Sequence, residues 1–277
     1  MEQHGDGIAD VALTCDDVTA TAAAAVAAGA TVTHSVQGLP VVSGFGDVVH
    51  TLLPADPLVN GLPGGRSWVL TPGVTAESAT GRITGLDHIA VCLEGGTLEK
   101  YADFYREAFG MFRYSSEYVA VGDQAMDSIV VRSDSGSVIF TLVAPDPGKQ
   151  PGQLDNYLER NGGAGVQHLA FLTGEIIPAV HERRERGVVF LDTPDSYYDM
   201  LGERLPGLRV EIEELREAKV LADRDEWGDL LQLFTRSPYP RNTLFFELIQ
   251  RNGSRGFGSA NIRALYEAVE RDRLTAG

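Results

Sequence analysis

The sequence predicts an α+β fold in which βαβββ units pair and curl a sheet into an open barrel around a cavity, with a carboxyl-terminal helix over the cavity. Three observations predict it. An apolar strand-like run recurs as GIADVAL, GLDHIAV and GVQHLAF. Each copy leads into a polar capping candidate, a helical segment and a glycine, the order of one supersecondary unit. The copies also keep a long step: Asp10, His88 and His168 share one repeat position at intervals of 78 and 80 residues. Solenoid repeats run to roughly 50 residues at most, so each copy is a larger unit.

In the first copy Asp16 and Asp17 precede VTATAAAAVAAG, which ends at Gly29. In the second, Thr97 caps LEKYADFYREAFG, with Leu98, Tyr101, Phe104, Tyr105 and Ala108 on one stripe and Gly110 as the stop. In the third, Thr173 precedes GEIIPAVHERRERG, which ends at Gly187. Strand-like runs follow each helix, among them SIVVR and SVIFTLVA in the second copy and LLQLFT and TLFFELIQ in the third. The reading divides the chain into 1–57, a non-catalytic unit; 58–84, a linker rich in Pro, Gly, Ser and Thr; and 85–277, two catalytic units plus the final helix. That helix, NIRALYEAVERDR, carries Ile262, Leu265, Tyr266 and Val269 on its expected inner stripe. Because units work in pairs and the first has no partner, the chain is expected to begin inside an amino-terminal domain.

Composition narrows the function. An apolar fraction of 43% supplies a core for one large or two smaller domains. A net charge of −16, with no lysine or arginine run, opposes nucleic acid and anionic membranes as partners. No apolar run is long enough to span a bilayer, and the amino terminus lacks the pattern of a secretion signal, so a cytoplasmic location is expected. Cys15 and Cys92 sit in or beside apolar strand-like runs, which favours buried thiols over a disulfide.

The chemistry rests on three side chains. Alternation along a strand sends equivalent positions of two units to equivalent places, so His88 and His168 both face the cavity. Glu247 sits in the otherwise apolar TLFFELIQ, 79 residues beyond His168, where an unpaired charge costs several kcal/mol. The bland alternative is an ion pair with Arg251. Two imidazoles and a carboxylate without thiolate form a facial metal set with open positions, suited to nonhaem Fe(II) and oxygen, though zinc and manganese also fit. Asp10 replaces the imidazole in the first unit, which is therefore expected to hold no metal and to serve packing or assembly. Gln153, Gln167 and Gln232 are weaker pocket candidates, and the Gln167 side chain is expected on the opposite face. GFGSAN lacks dinucleotide-loop spacing and reads as a flexible turn delivering the last helix.

These segments resemble the 4-hydroxyphenylpyruvate dioxygenase and 4-hydroxymandelate synthase family of the vicinal-oxygen-chelate superfamily, which includes glyoxalase and bleomycin-resistance folds. LDHIAV, GAGVQHLAF, LLQLFT, RNTLFFELIQRNG, GFGSAN and the final helix match in order, over essentially the whole chain from residue 4. GDGIADVAL and GFGDVVHTLL resemble the second half of the family's amino-terminal domain. The resemblance implies that His88, His168 and Glu247 bind Fe(II), and that a 2-oxo acid and O2 fill the remaining positions. It also implies a pocket of Ser128, Gln153, Gln232, Phe234, Phe245, Phe257 and Ile262. Where the dioxygenases carry an aromatic residue after GFGxGN and an Asn in a PINEP-like stretch, this chain has Ile262 and Val143. DHIAVCL likewise is closer to the synthases.

The resemblance thus favours oxidative decarboxylation and benzylic hydroxylation of 4-hydroxyphenylpyruvate to 4-hydroxymandelate and CO2. Ring oxidation to homogentisate, extradiol cleavage of catechols and metal-free small-molecule binding are the alternatives. Oligomeric state, a homodimer included, stays open.

Overall fold

The computed structural model describes residues 3–55 and 81–264. The first unit comprises β1 (Leu13–Cys15), α1 (Val18–Ala27), β2 (Val32–His34), β3 (Pro40–Ser43) and β4 (Val49–Pro54). The second comprises β5 (Ile83–Cys92), α2 (Leu98–Phe109), β6 (Phe112–Val121), β7 (Gln124–Arg132) and β8 (Ile139–Pro145). After α3 (Gln153–Asn161), the third runs β9 (Gly165–Thr173), α4 (Ile176–Glu185), α5 (Asp195–Arg204), α6 (Ile212–Ala218), β10 (Leu221–Arg224), β11 (Asp229–Phe234) and β12 (Phe245–Asn252).

The sheet order is β1-β4-β3-β2 in the first unit and β10-β11-β12-β9-β5-β8-β7-β6 across the other two. All three units therefore share one topology, with the first strand parallel to the last. β5 and β9 join antiparallel, with Ile89 opposite Leu169, so a pseudo-twofold axis passes near that pair. Glu117 on β6 and Asp223 on β10 line one cavity of about 140 Å³ although their strands lie at opposite edges of the eight-stranded sheet. The sheet is curled far enough for its edges to approach.

Helices cover the outer face. Leu98, Ala102 and Tyr105 of α2 pack with Ile89, Val91, Ile129, Val131, Phe140 and Leu142, the strand positions that alternate with the cavity side. α4, α5 and α6 pack with Leu231, Leu233 and Leu248 in the third unit.

Several local expectations change. Asp17 caps α1 through Ala20 N, as its position suggests. Thr97 occupies the cap of α2 but donates its hydroxyl to Glu94 O instead. The cap of α4 is Glu175, whose N–H is accepted by Thr173 Oγ1, so the helix starts later than the repeat suggests. β5 takes in Ile83 and Thr84 from the expected linker, whose residues 58–80 lie outside the described residues. α3, α5 and α6 are insertions between elements of the repeat, absent from the copy-to-copy comparison.

The first unit packs α1 on α2 through Ala25, Val42, Leu52 and Ala108. Gly46, at φ +51, lies so close to Ala164 O that a Cβ would come within 2.4 Å, which makes glycine necessary in this contact. His50 is buried here: its Nδ1 donates to Val11 O, and Tyr105 OH donates to its Nε2. Burial pushes the imidazole below its ordinary value of 6.5, outweighing the Val11 and Asp10 contributions. The unfolded chain then binds the proton first. Stability at this contact is present above the unfolded value and lost as pH falls below it, by up to about 1.4 kcal/mol per pH unit. Chemical unfolding between pH 8 and 5 is expected to show this slope, and His50→Gln to flatten it; an unchanged slope would contradict the assignment.

Candidate metal centre

His88 and His168 stand diagonally across the β5–β9 seam, because His88 pairs with Ala170 and His168 pairs with Ala90. The small alanines leave space between the two rings, whose centroids are 5.5 Å apart. On the other side of β9, β12 places Glu247 beside Ala170. Glu247 Oε2 lies 3.5 Å from His88 Nε2 and 3.3 Å from His168 Nε2. The ligand atoms of all three residues fall within 4.8 Å of one another. Three residues separated by up to 159 positions thus converge, as the sequence reading expected.

The 79-residue step to Glu247 is nevertheless no repeat interval. Strand register places Glu247 opposite Ala170 in the third unit, Thr141 opposite Ala90 in the second and, by extension of Leu13 opposite Leu52, Thr51 at the same position of the first. Helices α5 and α6 lengthen the third unit and hide this equivalence in the sequence. In the first unit the two corresponding residues satisfy each other: Thr51 N and Oγ1 donate to the Asp10 carboxylate at 2.9 and 2.6 Å. In the second, buried Thr141 Oγ1 has no hydrogen-bond partner.

The hydrogen bonds behind the rings set their tautomers. His88 Nδ1 donates to Asp87 Oδ1 at 2.8 Å and His168 Nδ1 to Gln167 Oε1 at 3.2 Å, which leaves each Nε2 as a lone pair aimed toward Glu247. Gln167 was expected on the opposite face; instead its amide reaches around to orient the neighbouring ring. Burial lowers the His168 pKa against the pull of Glu247, so its neutral, metal-binding form is favoured. Burial alone would raise Asp87, but hydrogen bonds from Arg251 and His88 hold its carboxyl well below the usual range. Arg251 pairs with Asp87 at 2.7 Å through both Nε and Nη2, so it is Asp87 and not Glu247 that takes its hydrogen bonds.

Two imidazole lone pairs and a carboxylate, with His88 and Glu247 only 3% and 2% exposed, repel one another unless a cation lies between them. The donor set therefore fits a divalent ion with N and O preference.

Aromatic rings surround it. Phe245 stacks on His168 at 5.0 Å, Phe234 meets the same ring edge-on at 5.8 Å, and Phe257 meets His88 edge-on at 5.1 Å. Gln232 is buried with Oε1 unpartnered, and Gly258, at φ +75, closes over that amide where a Cβ would sit 2.2 Å from it. Ser128 is partly buried and donates to Glu117 O. Gln153 is exposed at the start of α3, outside a strand, because Leu154 and Tyr157 are the residues that face inward there. Val143 packs with Cys92, Leu154 and Tyr157.

The final helix is described only from 259 to 264. Asn261 Oδ1 accepts from Tyr197 OH and Arg204 Nη2, which turns Asn261 and Ala264 inward. Ile262 is consequently 38% exposed rather than on an inner stripe, and Leu265, Tyr266 and Val269 lie outside the described residues. A larger groove, about 460 Å³, borders α4 and includes Ile176, His181 and Glu217 but none of the three ligands. No helix among the described residues is long and apolar enough to cross a membrane.

Residues 85–226 match the model of the Glyoxalase/Bleomycin resistance protein/Dioxygenase superfamily. The chain is 35% identical to 4-hydroxyphenylpyruvate dioxygenase of Neurospora crassa over 299 aligned positions, covering all of this chain and 72% of that protein. The corresponding Danio rerio enzyme is 33% identical, again over all of this chain and 74% of the relative. A solved mutant of 4-hydroxymandelate synthase from Streptomyces coelicolor is 55% identical, with a TM-score of 0.81 over 98% of this chain and 78% of that one.

Proposed function

The chain belongs to the family of 4-hydroxyphenylpyruvate dioxygenases and 4-hydroxymandelate synthases, and from that premise we propose that it is an Fe(II)-dependent 4-hydroxymandelate synthase. The reaction is 4-hydroxyphenylpyruvate plus O2 giving 4-hydroxymandelate plus CO2. The observation that carries this reading is the buried His88, His168 and Glu247 set, with Phe234, Phe245 and Phe257 packed against its two imidazoles.

When bound, Fe(II) supplies O2 activation and the oxidation of the 2-oxo acid. The protein's own part is geometric and electrostatic. His88 and His168 offer neutral Nε2 atoms, because their Nδ1 protons are committed to Asp87 and Gln167. Glu247 contributes one negative charge and the substrate carboxylate a second, which together balance a divalent ion. His88, His168 and Glu247 would hold the ion from one side and leave it accessible to the 2-oxo acid and O2. The phenylalanines exclude water and pack against the substrate ring. Gln232 Oε1 and Thr141 Oγ1, both buried without partners, provide polar contacts for bound ligand.

The choice of carbon depends on where the ring sits. Val143 is 6% exposed in an apolar cluster, and gives a ring hydroxyl no anchor at that point. The 55% identity to a hydroxymandelate synthase supports the same branch. Aerobic incubation of Fe(II)-loaded protein with 4-hydroxyphenylpyruvate is expected to yield 4-hydroxymandelate by chromatography and mass. Homogentisate as the main product would move the chain to the dioxygenase branch. The division into a non-catalytic unit at 1–57 and a catalytic region at 85–277 accords with all three ligands lying in the latter.

A further inference from the structure

Arg251 makes contacts that a simple ion pair does not require. It lies four residues after Glu247, on the same face of β12 by strand alternation. Its Nε and Nη2 engage both oxygens of Asp87, whose Oδ1 also accepts from His88 Nδ1. Its remaining nitrogen, Nη1, donates to Gly256 O at 2.7 Å and Ser254 O at 3.3 Å. The guanidinium lies 5.1 Å from the Phe257 ring, and that ring rests edge-on against His88. The path from Arg251 through Asp87, His88 and Phe257 returns to Arg251.

We propose that Arg251 is a positioning residue that links metal binding at His88 to the order of segment 254–257. A cation on His88 Nε2 polarises the ring and strengthens the Nδ1–H bond to Asp87. Asp87 in turn fixes the guanidinium, and the planar fork transmits that orientation to the Ser254 and Gly256 carbonyls and to the face of Phe257. Lysine at this position keeps the charge but cannot hold a carboxylate with two nitrogens and two carbonyls with a third. Asp225 anchors the same segment independently, accepting from Ser254 Oγ and from the N–H groups of Arg255 and Gly256. The segment therefore stays folded when Arg251 is changed. Linkage is reciprocal: whatever factor metal binding contributes to ordering the segment, ordering contributes to metal affinity.

The inference rests on the metal assignment above, and the experiment separates the two. Co(II), which is stable in air, is titrated calorimetrically into the full chain, and amide hydrogen exchange of 254–258 is followed with and without it. The parent is expected to bind one Co(II) and to slow exchange in that segment severalfold. Arg251→Lys is expected to bind Co(II) about 10-fold more weakly, the lower end for an outer-shell change, and to show no metal-dependent slowing. Phe257→Ala is expected to weaken Co(II) binding in the parent background and to have little further effect in Arg251→Lys. A parent that binds no Co(II) overturns both readings. Co(II) binding without a change in segment exchange, or undiminished slowing in Arg251→Lys, overturns the linkage alone.

Discussion

Glu247→Ala is expected to lower Fe(II) affinity by more than about 100-fold and to abolish turnover while leaving the chain folded. Changes behind a metal ligand typically cost about 10–100-fold in affinity, and loss of the one anionic member of the candidate set should exceed that. The fold survives because the variant removes a carboxylate buried between two imidazoles, a group that the metal-free protein gains little from holding. The check is thermal. Fe(II) at about 100 times its Kd stabilises the folded parent by about 2.7 kcal/mol, which is about 5–10 °C for a chain of this size. Glu247→Ala should unfold at a temperature indifferent to Fe(II), measured anaerobically. An Fe(II)-dependent rise equal to that of the parent would show that the ion binds elsewhere.

The candidate ligands were legible because repetition exposes them. His88 and His168 recur on matching strands, and Glu247 is an acid in an apolar strand; both signals lie in the residue order itself. The βαβββ pattern was legible for the same reason, since strand, helix and glycine recur in order. The insertions were not, because α3, α5 and α6 have no counterpart in the other copies. Of these, α5 and α6 stretch the third unit, so the equivalence of Thr51, Thr141 and Glu247 emerges only from strand register. The orienting partners were hidden differently. Asp87 and Gln167 directly precede their histidines, and strand alternation sends neighbours to opposite faces. The longer Gln167 side chain curls back to the ring beside it, and the β5–β9 register shift between Leu86 and His88 places a break in regular alternation at Asp87. The inner stripe expected at Ile262 was wrong because the buried bonds of Asn261 to Tyr197 and Arg204, which set the rotation of the helix, join residues 64 and 57 positions apart.

Asp87→Ala is expected to produce the largest loss of stability, about 3–5 kcal/mol, seen as a fall of about 6–20 °C in unfolding temperature. The Asp87 side chain is 7% exposed and that of Arg251 18%, so removing the carboxylate strands a guanidinium whose Nε and Nη2 protons meet no other acid among the described residues. The same change frees the His88 ring from its tautomer, lowering metal affinity by about 10–100-fold. Stability and metal binding are here two consequences of one side chain, and the double variant Asp87→Ala with Arg251→Met separates them. Replacing a buried ion pair by apolar groups of similar volume is often close to neutral, so the double variant should recover most of the lost stability. It should recover none of the metal affinity, since Nδ1 of His88 still lacks its acceptor. Recovery of both would make Asp87 a packing residue only. Recovery of neither would place the destabilisation in a cavity at position 87 rather than in an unpaired charge.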